Sequence, residues 1–410
     1  MKRALFSLLA LAFCLSACTP AASPTPESEA ASVAEETTET AQEETNAAQT
    51  AFPVGSLRGN GHLNETDSAW YRIGSEGMAD GTIRAHLLKL DYATAREEVL
   101  YTWEEPVLQV GGVIVQGGTV CVVVDQVLYR IPVDGGEPET LPLAEFFPAV
   151  AADEYSAYNF SFVTEENTYR GKRLDLTTGQ ITDLDLPALT WEIWPVGEDR
   201  FLLSRLHTEV PLPDRGNESE AFAAILQNAV CEYDWYDPAT GELEKILEEP
   251  YYGAEQPDGT KRMHRFLGLR DGRLYFSWTA SGEDGALLDA GAESCTLQGQ
   301  DWQPLAGLTQ VSEWNGALYQ PDGQLRWIVG NGDTDAQVFD LETGTFHESV
   351  DLASARPDTF LADGRVLLQT GYEDAQGSYH ITHALADEQD YLNGTAELIP
   401  VESEAAKTLF

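Results

Sequence analysis

The sequence has few basic residues, with 24 Lys and Arg against 68 Asp and Glu and a formal net charge of −44. Proteins that bind nucleic acid need clustered Lys and Arg to neutralise phosphates, so this composition argues against a nucleic-acid partner. Acidic partners are disfavoured as well, whereas cations and basic partners are favoured. The alternative interpretation is a charged surface that serves solubility alone.

The chain also lacks the short motifs of common hydrolases and metal sites. It contains no Gly-x-Ser-x-Gly, no His-Glu-x-x-His and no Cys-x-x-Cys, which removes the usual sequence signals for a nucleophile elbow, a zinc protease and a redox or zinc site. Carboxylate pairs for glycoside cleavage cannot be selected among so many acids. We therefore expect a protein without a cofactor that is not an enzyme, and keep a carboxylate-based enzyme as the alternative.

The first residues have the layout of a bacterial export signal. Lys2 and Arg3 precede an apolar run, and residues 15–18 read Leu-Ser-Ala-Cys. Small residues before a Cys at this position resemble the lipobox of bacterial lipoproteins. The resemblance implies that residues 1–17 are a signal peptide and that Cys18 is lipidated, which would anchor the protein to the cell membrane on the side facing away from the cytoplasm.

Residues 18–52 predict an acidic, disordered tether. Between residues 19 and 51 the chain has seven Glu and no Lys, Arg or aromatic residue, so it cannot bury enough apolar area to offset the entropy cost of ordering. Removing the two bases of the leader and the seven tether acids from −44 leaves −39 on residues 53–410.

A repeated turn organises residues 53–410. It has the pattern Asp-x-x-Thr-Gly between apolar or β-branched residues, which is typical of a β-hairpin in which Asp accepts backbone N–H groups and Gly takes positive φ. Several spacings between copies are close to 42 residues, such as the interval from Gln298 to Asp340. Clear or degraded copies occur near Asp91, Asp134, Asp175, Asp237, Gln298, Asp340 and Asp387.

A second kind of turn alternates with the first. Asp271-Gly272, Asn315-Gly316 and Asp363-Gly364 each precede an apolar strand pattern, and such dipeptides are strong hairpin signals. Together the two signals predict an all-β protein, a β-propeller of about seven four-stranded blades. The alternative is a β-sandwich followed by a smaller β-domain.

The copies resemble the repeats of the propeller superfamily with quinoprotein-type, YncE-like and TolB-like members, and the whole chain resembles bacterial surface lipoproteins that carry such a propeller. The Trp expected shortly after each Gly of the quinoprotein pattern is missing, since Thr182, Lys245 and Glu348 occupy that region. The resemblance therefore implies the fold and no quinone cofactor.

Longer intervals between turns predict insertions. Asp175 and Asp237 are 62 residues apart, and Asp237 and Gln298 are 61 apart. We expect these insertions, together with an acidic, Gly-rich excursion over residues 281–293, to form loops on one rim, where propellers bind ligands. The residues predicted to grip a carboxylated ligand or sugar acid are Tyr251, Tyr252, Lys261, Arg262 and Arg265. The alternative is that these bases neutralise acidic surface and that the Tyr pair packs a loop.

A second candidate site is an acidic turn. Asn331, Asp333 and Asp335 gather oxygen ligands that suit calcium, but the later Glu of an EF-hand is missing. Cys121, Cys231 and Cys295 are expected to be buried thiols, with one disulfide as the alternative. The sequence thus predicts a lipid-anchored binding or scaffold protein that presents a propeller face to a glycan, a peptide or an envelope protein. The competing prediction is a glycan-active or peptide-active enzyme that uses carboxylates in the propeller channel.

Overall fold

The computed structural model describes residues 63–77, 83–144, 146, 151–152, 156–163, 168–196, 200–210, 224–283, 285–305, 308, 313–320, 323–331, 336–350, 355–373 and 379–403. Their strands form seven sheets of four or five strands, arranged as a seven-bladed β-propeller. The predicted fold and blade number are confirmed, and the alternative of a sandwich with a smaller domain is excluded.

Each blade is a continuous stretch of chain whose strands pair antiparallel in sequence order. Blade 1 contains β1 (Glu65–Thr66), β2 (Ala69–Gly77), β3 (Ile83–Asp91) and β4 (Arg96–Thr102). Blade 2 contains β5 (Ile114–Gln116), β6 (Thr119–Val124), β7 (Val127–Pro132) and β8 (Glu139–Pro142). Blade 3 contains β9 (Ala151–Ala152), β10 (Ser156–Val163), β11 (Thr168–Asp175) and β12 (Ile181–Leu184).

The later blades contain the longest strands. Blade 4 contains β13 (Thr190–Val196), β14 (Arg200–His207), β15 (Val230–Tyr236) and β16 (Leu243–Pro250). Blade 5 begins with an extra two-residue strand, β17 (Ala254–Glu255), which pairs with the start of β18. Its four blade strands, counted from the first, are β18 (Lys261–Arg270), β19 (Arg273–Ser281), β20 (Leu287–Thr296) and β21 (Gln303–Pro304). Blade 6 contains β22 (Glu313–Tyr319), β23 (Leu325–Asn331), β24 (Ala336–Asp340) and β25 (Thr345–Val350).

Blade 7 closes the ring and includes the helix α1. It contains β26 (Arg356–Phe360), β27 (Arg365–Glu373), β28 (Tyr379–Asp387), α1 (Glu388–Leu392) and β29 (Ile399–Pro400). The side chain of Asp387 caps α1 by accepting hydrogen bonds from the backbone N–H groups of Gln389 and Asp390, both at 3.0 Å. The last strand, β30 (Glu402–Ser403), pairs parallel with β4 of blade 1.

The Asp turns connect the last two strands of a blade, as the repeat pattern predicts. In the copy at Asp175, the carboxylate accepts the backbone N–H groups of Thr177 and Thr178 at 2.8 and 2.7 Å, and Gly179 has φ +72°. The degraded copy that ends in Ala95 keeps a positive φ of +53°, so the repeat geometry persists where Gly is absent. Asn315-Gly316 was predicted as a turn, and this is wrong: it lies inside β22 at a β-bulge.

Apolar side chains fill the seven layers between neighbouring blades. One cluster joins blades 4 and 5, for example, and another joins blades 7 and 1. Four Trp side chains belong to such layers and are buried, namely Trp70, Trp103, Trp235 and Trp327. The packing of one sheet on the next explains why β-branched and aromatic residues occur on both faces of each blade.

Both ends of the described chain meet where blade 1 joins blade 7. Glu65 on β1 accepts hydrogen bonds from the Tyr92 hydroxyl and, at 3.1 Å, from the backbone N–H of Ala362 in blade 7. Ser403 on β30 donates to Glu97 at 2.5 Å. The two terminal strands therefore hold the ring closed through polar contacts as well as through the apolar layer.

Candidate binding site in the central channel

The order of the strands places the ends of the predicted insertions at one rim. Because the strands alternate in direction, the connection between the second and third strands and the connection to the next blade lie at the same end of each blade. At this end, the insertion rim, lie the strand ends that flank the insertions and residues 251–260, which join β16 to β18. The prediction that the insertions start and end at one rim agrees with the described strand ends, although most of the excursion over residues 281–293 is strand β20.

The predicted basic cluster is only partly a rim feature. Lys261, Arg262 and Arg265 lie on the strand β18 and not in a loop. Since side chains alternate along a strand, Lys261 and Arg265 share one side and Arg262 lies on the other. Tyr251 and Tyr252 form an edge-to-face pair with ring centroids 5.0 Å apart. The next residue, Gly253, packs against the backbone of β18, since a Cβ added there would lie 2.6 Å from the Arg262 carbonyl oxygen. This contact places the Tyr pair near the basic residues.

Arg262 belongs to a packed stack. Its guanidinium lies 4.1 Å from the centroid of the Trp278 ring, a cation–π contact. Gly291 also packs against the indole, since an added Cβ there would lie 2.6 Å from Trp278. Because Arg262 and Gly291 both pack against the Trp278 ring, we do not count this ring among those that could stack on a ligand.

First strands of neighbouring blades contact one another, as β18 and β26 each contact β22, so these strands surround the central channel. Glu192 on β13 pairs with Ser204, Arg265 on β18 with Ser277, and Arg356 on β26 with Gln369. The partners Ser204, Ser277 and Gln369 are the fifth residues of β14, β19 and β27, the strands that follow β13, β18 and β26. Glu192, Arg265 and Arg356 therefore lie at one height in the channel, which we name the charged level.

Blade 6 contributes a glycine at the charged level. This residue is Gly316, which pairs with Val329, the fifth residue of β23. A Cβ on Gly316 would lie 2.8 Å from the Val329 Cβ. The Val329 side chain therefore fills the space that a side chain at position 316 would need, and blade 6 adds no charge at this position.

The cations of this region are unusual because they lack partners. Among the described residues, Lys261, Arg265 and Arg356 form neither a hydrogen bond nor an ion pair. By contrast, Arg72 binds Glu97 with two bonds of 2.6 and 2.8 Å. Even Glu255, opposite Lys261 in the β17–β18 pair, makes no ion pair with it.

Two carboxylates on the first strands have raised pKa values. Burial raises the pKa of Glu192, and the positive charge of Arg265 opposes this effect. Burial likewise raises the pKa of Asp358, against the charges of Arg72 and Arg356. Perturbed carboxylates beside cations in a channel are typical of functional sites.

A second polar cluster lies between blades 4 and 5 and is closed to solvent. His264 is fully buried, with Nε2 2.7 Å from a Glu293 oxygen and Nδ1 3.5 Å from a Glu249 oxygen. Burial lowers the pKa of His264 and raises that of Glu249 well above its usual range. Because no described surface reaches these groups, we assign the cluster to packing.

Sequence reasoning identified Arg265 and missed Glu192, Arg356 and Gly316. A usable signal was the position of Glu192 and Arg356 at the start of the first strand of a blade. Cys18 and the signal lie outside the described residues, as do Asp333 and Asp335 of the predicted calcium turn. Asn331 ends β23, and nothing further is described for it.

Among the described residues, no group of three or more His, Cys, Asp or Glu side chains is arranged to hold a metal ion. No helix in that part of the chain is long and apolar enough to cross a membrane. Cys121, Cys231 and Cys295 are free thiols, and Cys121 and Cys295 are buried. The alternative of a disulfide among them is wrong.

No family model matches the chain, and no curated protein matches it. An oligogalacturonate lyase in complex with manganese aligns with a TM-score of 0.50 and 14% identity, over 88% of this chain and 92% of that one. An acylaminoacyl peptidase from Pyrococcus horikoshii aligns with a TM-score of 0.43 and 12% identity, over 71% and 46%. A puromycin hydrolase aligns with a TM-score of 0.43 and 14% identity, over 82% and 52%. At these identities the likeness shows the propeller fold alone.

Proposed function

We propose that this chain is a lipid-anchored, extracytoplasmic binding protein whose channel takes a carboxylated ligand at the charged level. The observation that carries the proposal is that, among the described residues, the side chains of Arg265 and Arg356 form no ion pair and no hydrogen bond. In a chain with 68 acids and 24 bases, an arginine that makes no ion pair with the described carboxylates can bind an external one, and the planar guanidinium suits carboxylate geometry.

The register of blades 4 to 7 supports the same ligand class. Arg265 and Arg356 flank Gly316 of blade 6, which adds no carboxylate between them. Glu192 stands at the same height with a raised pKa, and its protonated form can donate a hydrogen bond to a bound carboxylate or hydroxyl group. The name of the oligogalacturonate lyase adds an acidic glycan to the ligands to be tested, although the likeness concerns the fold alone.

The test is calorimetric titration of residues 53–410 with galacturonate, glutamate and the neutral sugar galactose. We expect binding of a carboxylated ligand and none of galactose, and we expect Arg265→Gln or Arg356→Gln to weaken binding by about tenfold or more, because each removes a charge-assisted bond. The matched control is Arg200→Gln, since Arg200 is exposed and ion-paired to Glu244 of the outer strand β16. Equal loss in the control, or no binding of any carboxylated compound, would contradict the proposal.

The anchor has its own test. In bacteria that express the full chain and are fed a clickable fatty acid, the wild-type protein should carry the label and sediment with membranes. Cys18→Ser should abolish both signals. Retention of the label in the variant would rule out anchoring through Cys18.

A second candidate function is catalysis, and Glu192 is the observation that favours it. A half-buried carboxyl group on a first strand, whose pKa is raised by burial and lowered by the charge of Arg265, has the properties of a general acid. Turnover of polyuronate or peptide pools that disappears in Glu192→Gln, with ligand binding retained, would establish an enzyme. Binding without turnover of either pool would leave the binding protein as the function.

A further inference from the structure

The cations on β18 extend from the charged level to the insertion rim. Lys261 and Arg265 lie on the same side of β18, four residues apart, and four steps along a strand span about 13 Å. Lys261 is exposed at the first residue of the strand, where the chain enters the blade from the insertion rim. Both side chains make no hydrogen bond or ion pair with described residues. One side of β18 thus presents two available positive charges along the path into the channel.

Hydroxyl groups accompany these charges. In the antiparallel pair with β19, Lys261 lies opposite Ser281, Met263 opposite Thr279 and Arg265 opposite Ser277. Cross-strand partners share a side of the sheet, so this side of blade 5 carries two cations on β18, with Met263 between them, and three hydroxyl-bearing residues opposite them on β19. Thr279 and Ser281 are partly exposed, whereas Ser277 is buried.

An exposed aromatic side chain precedes Gly253, which packs against Arg262 and Met263 of β18. Tyr252 is 43% exposed and is held by its edge-to-face contact with Tyr251. Exposed rings pair with the apolar faces of sugars. The ring, the hydroxyl groups and the spaced cations together correspond to the chemistry of a sugar chain that carries carboxylates.

From this arrangement we infer that the ligand is an oligosaccharide of carboxylated sugars that runs along β18, with one carboxylate at the charged level and a later one at Lys261. This inference rests on the proposed function and deepens it. No single sugar acid spans about 13 Å between backbone positions, so Lys261 contributes only when the ligand is longer. Arg265 and Arg356 contribute at every length.

The experiment compares galacturonate with its dimer, trimer and tetramer by calorimetry on residues 53–410. Affinity should rise with length in the wild type, and Lys261→Ala should weaken tetramer binding about threefold to fivefold, the usual effect of an exposed ion pair, while leaving the monomer unchanged. Tyr252→Ala should also act only on the longer ligands. Lys245→Ala is the matched control, because Lys245 is a similarly exposed lysine that is paired with Glu232 and Glu248.

The possible outcomes distinguish a wrong ligand length from a wrong binding site. Binding of the monomer with no gain at greater length, or equal weakening of monomer and tetramer in Lys261→Ala, would overturn the oligosaccharide and keep the channel site. Weaker binding of every ligand, the monomer included, in both Arg265→Gln and Arg356→Gln would uphold the site. A glutamate oligomer that binds more tightly than the uronate tetramer would replace the glycan with an acidic peptide. No binding of any ligand would remove the proposed function itself.

Discussion

Replacement of Glu65 by Gln should make the protein more stable in mildly alkaline solution. Glu65 lies at the junction of blades 1 and 7, where it accepts hydrogen bonds from Tyr92 and from the backbone of Ala362. Burial raises its pKa from 4.5 to about 7, the two hydrogen bonds oppose this, and the negative charges of Asp363 and Asp67 add to it. The ring is therefore closed by a carboxyl group that resists ionisation.

The sign of the effect follows from proton linkage. A group with a raised pKa binds its proton more tightly in the folded state, so its contribution to stability is complete below pH 4.5 and is lost as the pH rises through about 7. The difference between 4.5 and about 7, at about 1.4 kcal/mol per unit, gives an upper limit of about 3 kcal/mol. Gln keeps the carbonyl oxygen as acceptor and cannot ionise, so this loss is absent from Glu65→Gln.

The assay is thermal unfolding of residues 53–410 across this pH range. Wild type and Glu65→Gln should unfold at similar temperatures below pH 4.5 and diverge above it, with the variant more stable by about 4 °C at pH values beyond 7. Glu65→Ala is the control, because it loses both acceptor contacts and should be less stable than Glu65→Gln at every pH. Parallel curves for wild type and Glu65→Gln between pH 4.5 and 8 would refute the reasoning.

Two further predictions concern the blades themselves. Asp340→Ala should lower the free energy of unfolding by about 3 to 5 kcal/mol in a denaturant titration, because it leaves the buried guanidinium of Arg326 without its fully buried partner. An effect below about 1 kcal/mol would contradict this and show that the ion pair with Glu388 of α1 is enough to stabilise the Arg326 charge. Gly299→Ala should cost roughly 3 to 5 kcal/mol, since Gly299 has φ +68° and its Cβ would lie 2.1 Å from the Ile246 carbonyl oxygen. Gly241→Ala, with φ +75° and no atom within 4 Å, should cost only about 1 to 2 kcal/mol, and equal costs would contradict the steric argument.

The fold was predictable because the turn carries its own chemistry. At Asp175 and Asp340 the same carboxylate satisfies the backbone of a tight turn, and the need for positive φ selects Gly. Because the Asp and Gly of this turn recur about once per blade, their spacing predicts the number of blades without any knowledge of how the blades pack. Asn315-Gly316 shows the limit of this reasoning, since the same dipeptide also suits a bulge inside a strand.

The candidate site was only partly predictable, because it depends on register between distant strands. Lys261, Arg262 and Arg265 are dense in sequence, but the two-residue period of a strand separates Arg262 from the other two. Arg265 and Arg356 are 91 positions apart in the sequence and reach one height only through the pairings of β18 and β26. Whether an arginine has a partner is likewise a property of the folded ring.

The two polar clusters of this propeller differ in access, and access distinguishes packing from function. His264 and Glu249 have strongly shifted pKa values, yet they lie in an apolar layer beside Phe276, where a ligand would have to force neighbouring blades apart. At the charged level Arg356 is exposed, so an anion can reach its guanidinium without rearranging the sheets. A shifted pKa alone would rank the buried cluster first. The exposure of Arg356, and the absence of an ion pair between it and the described residues, rank the channel above the buried cluster.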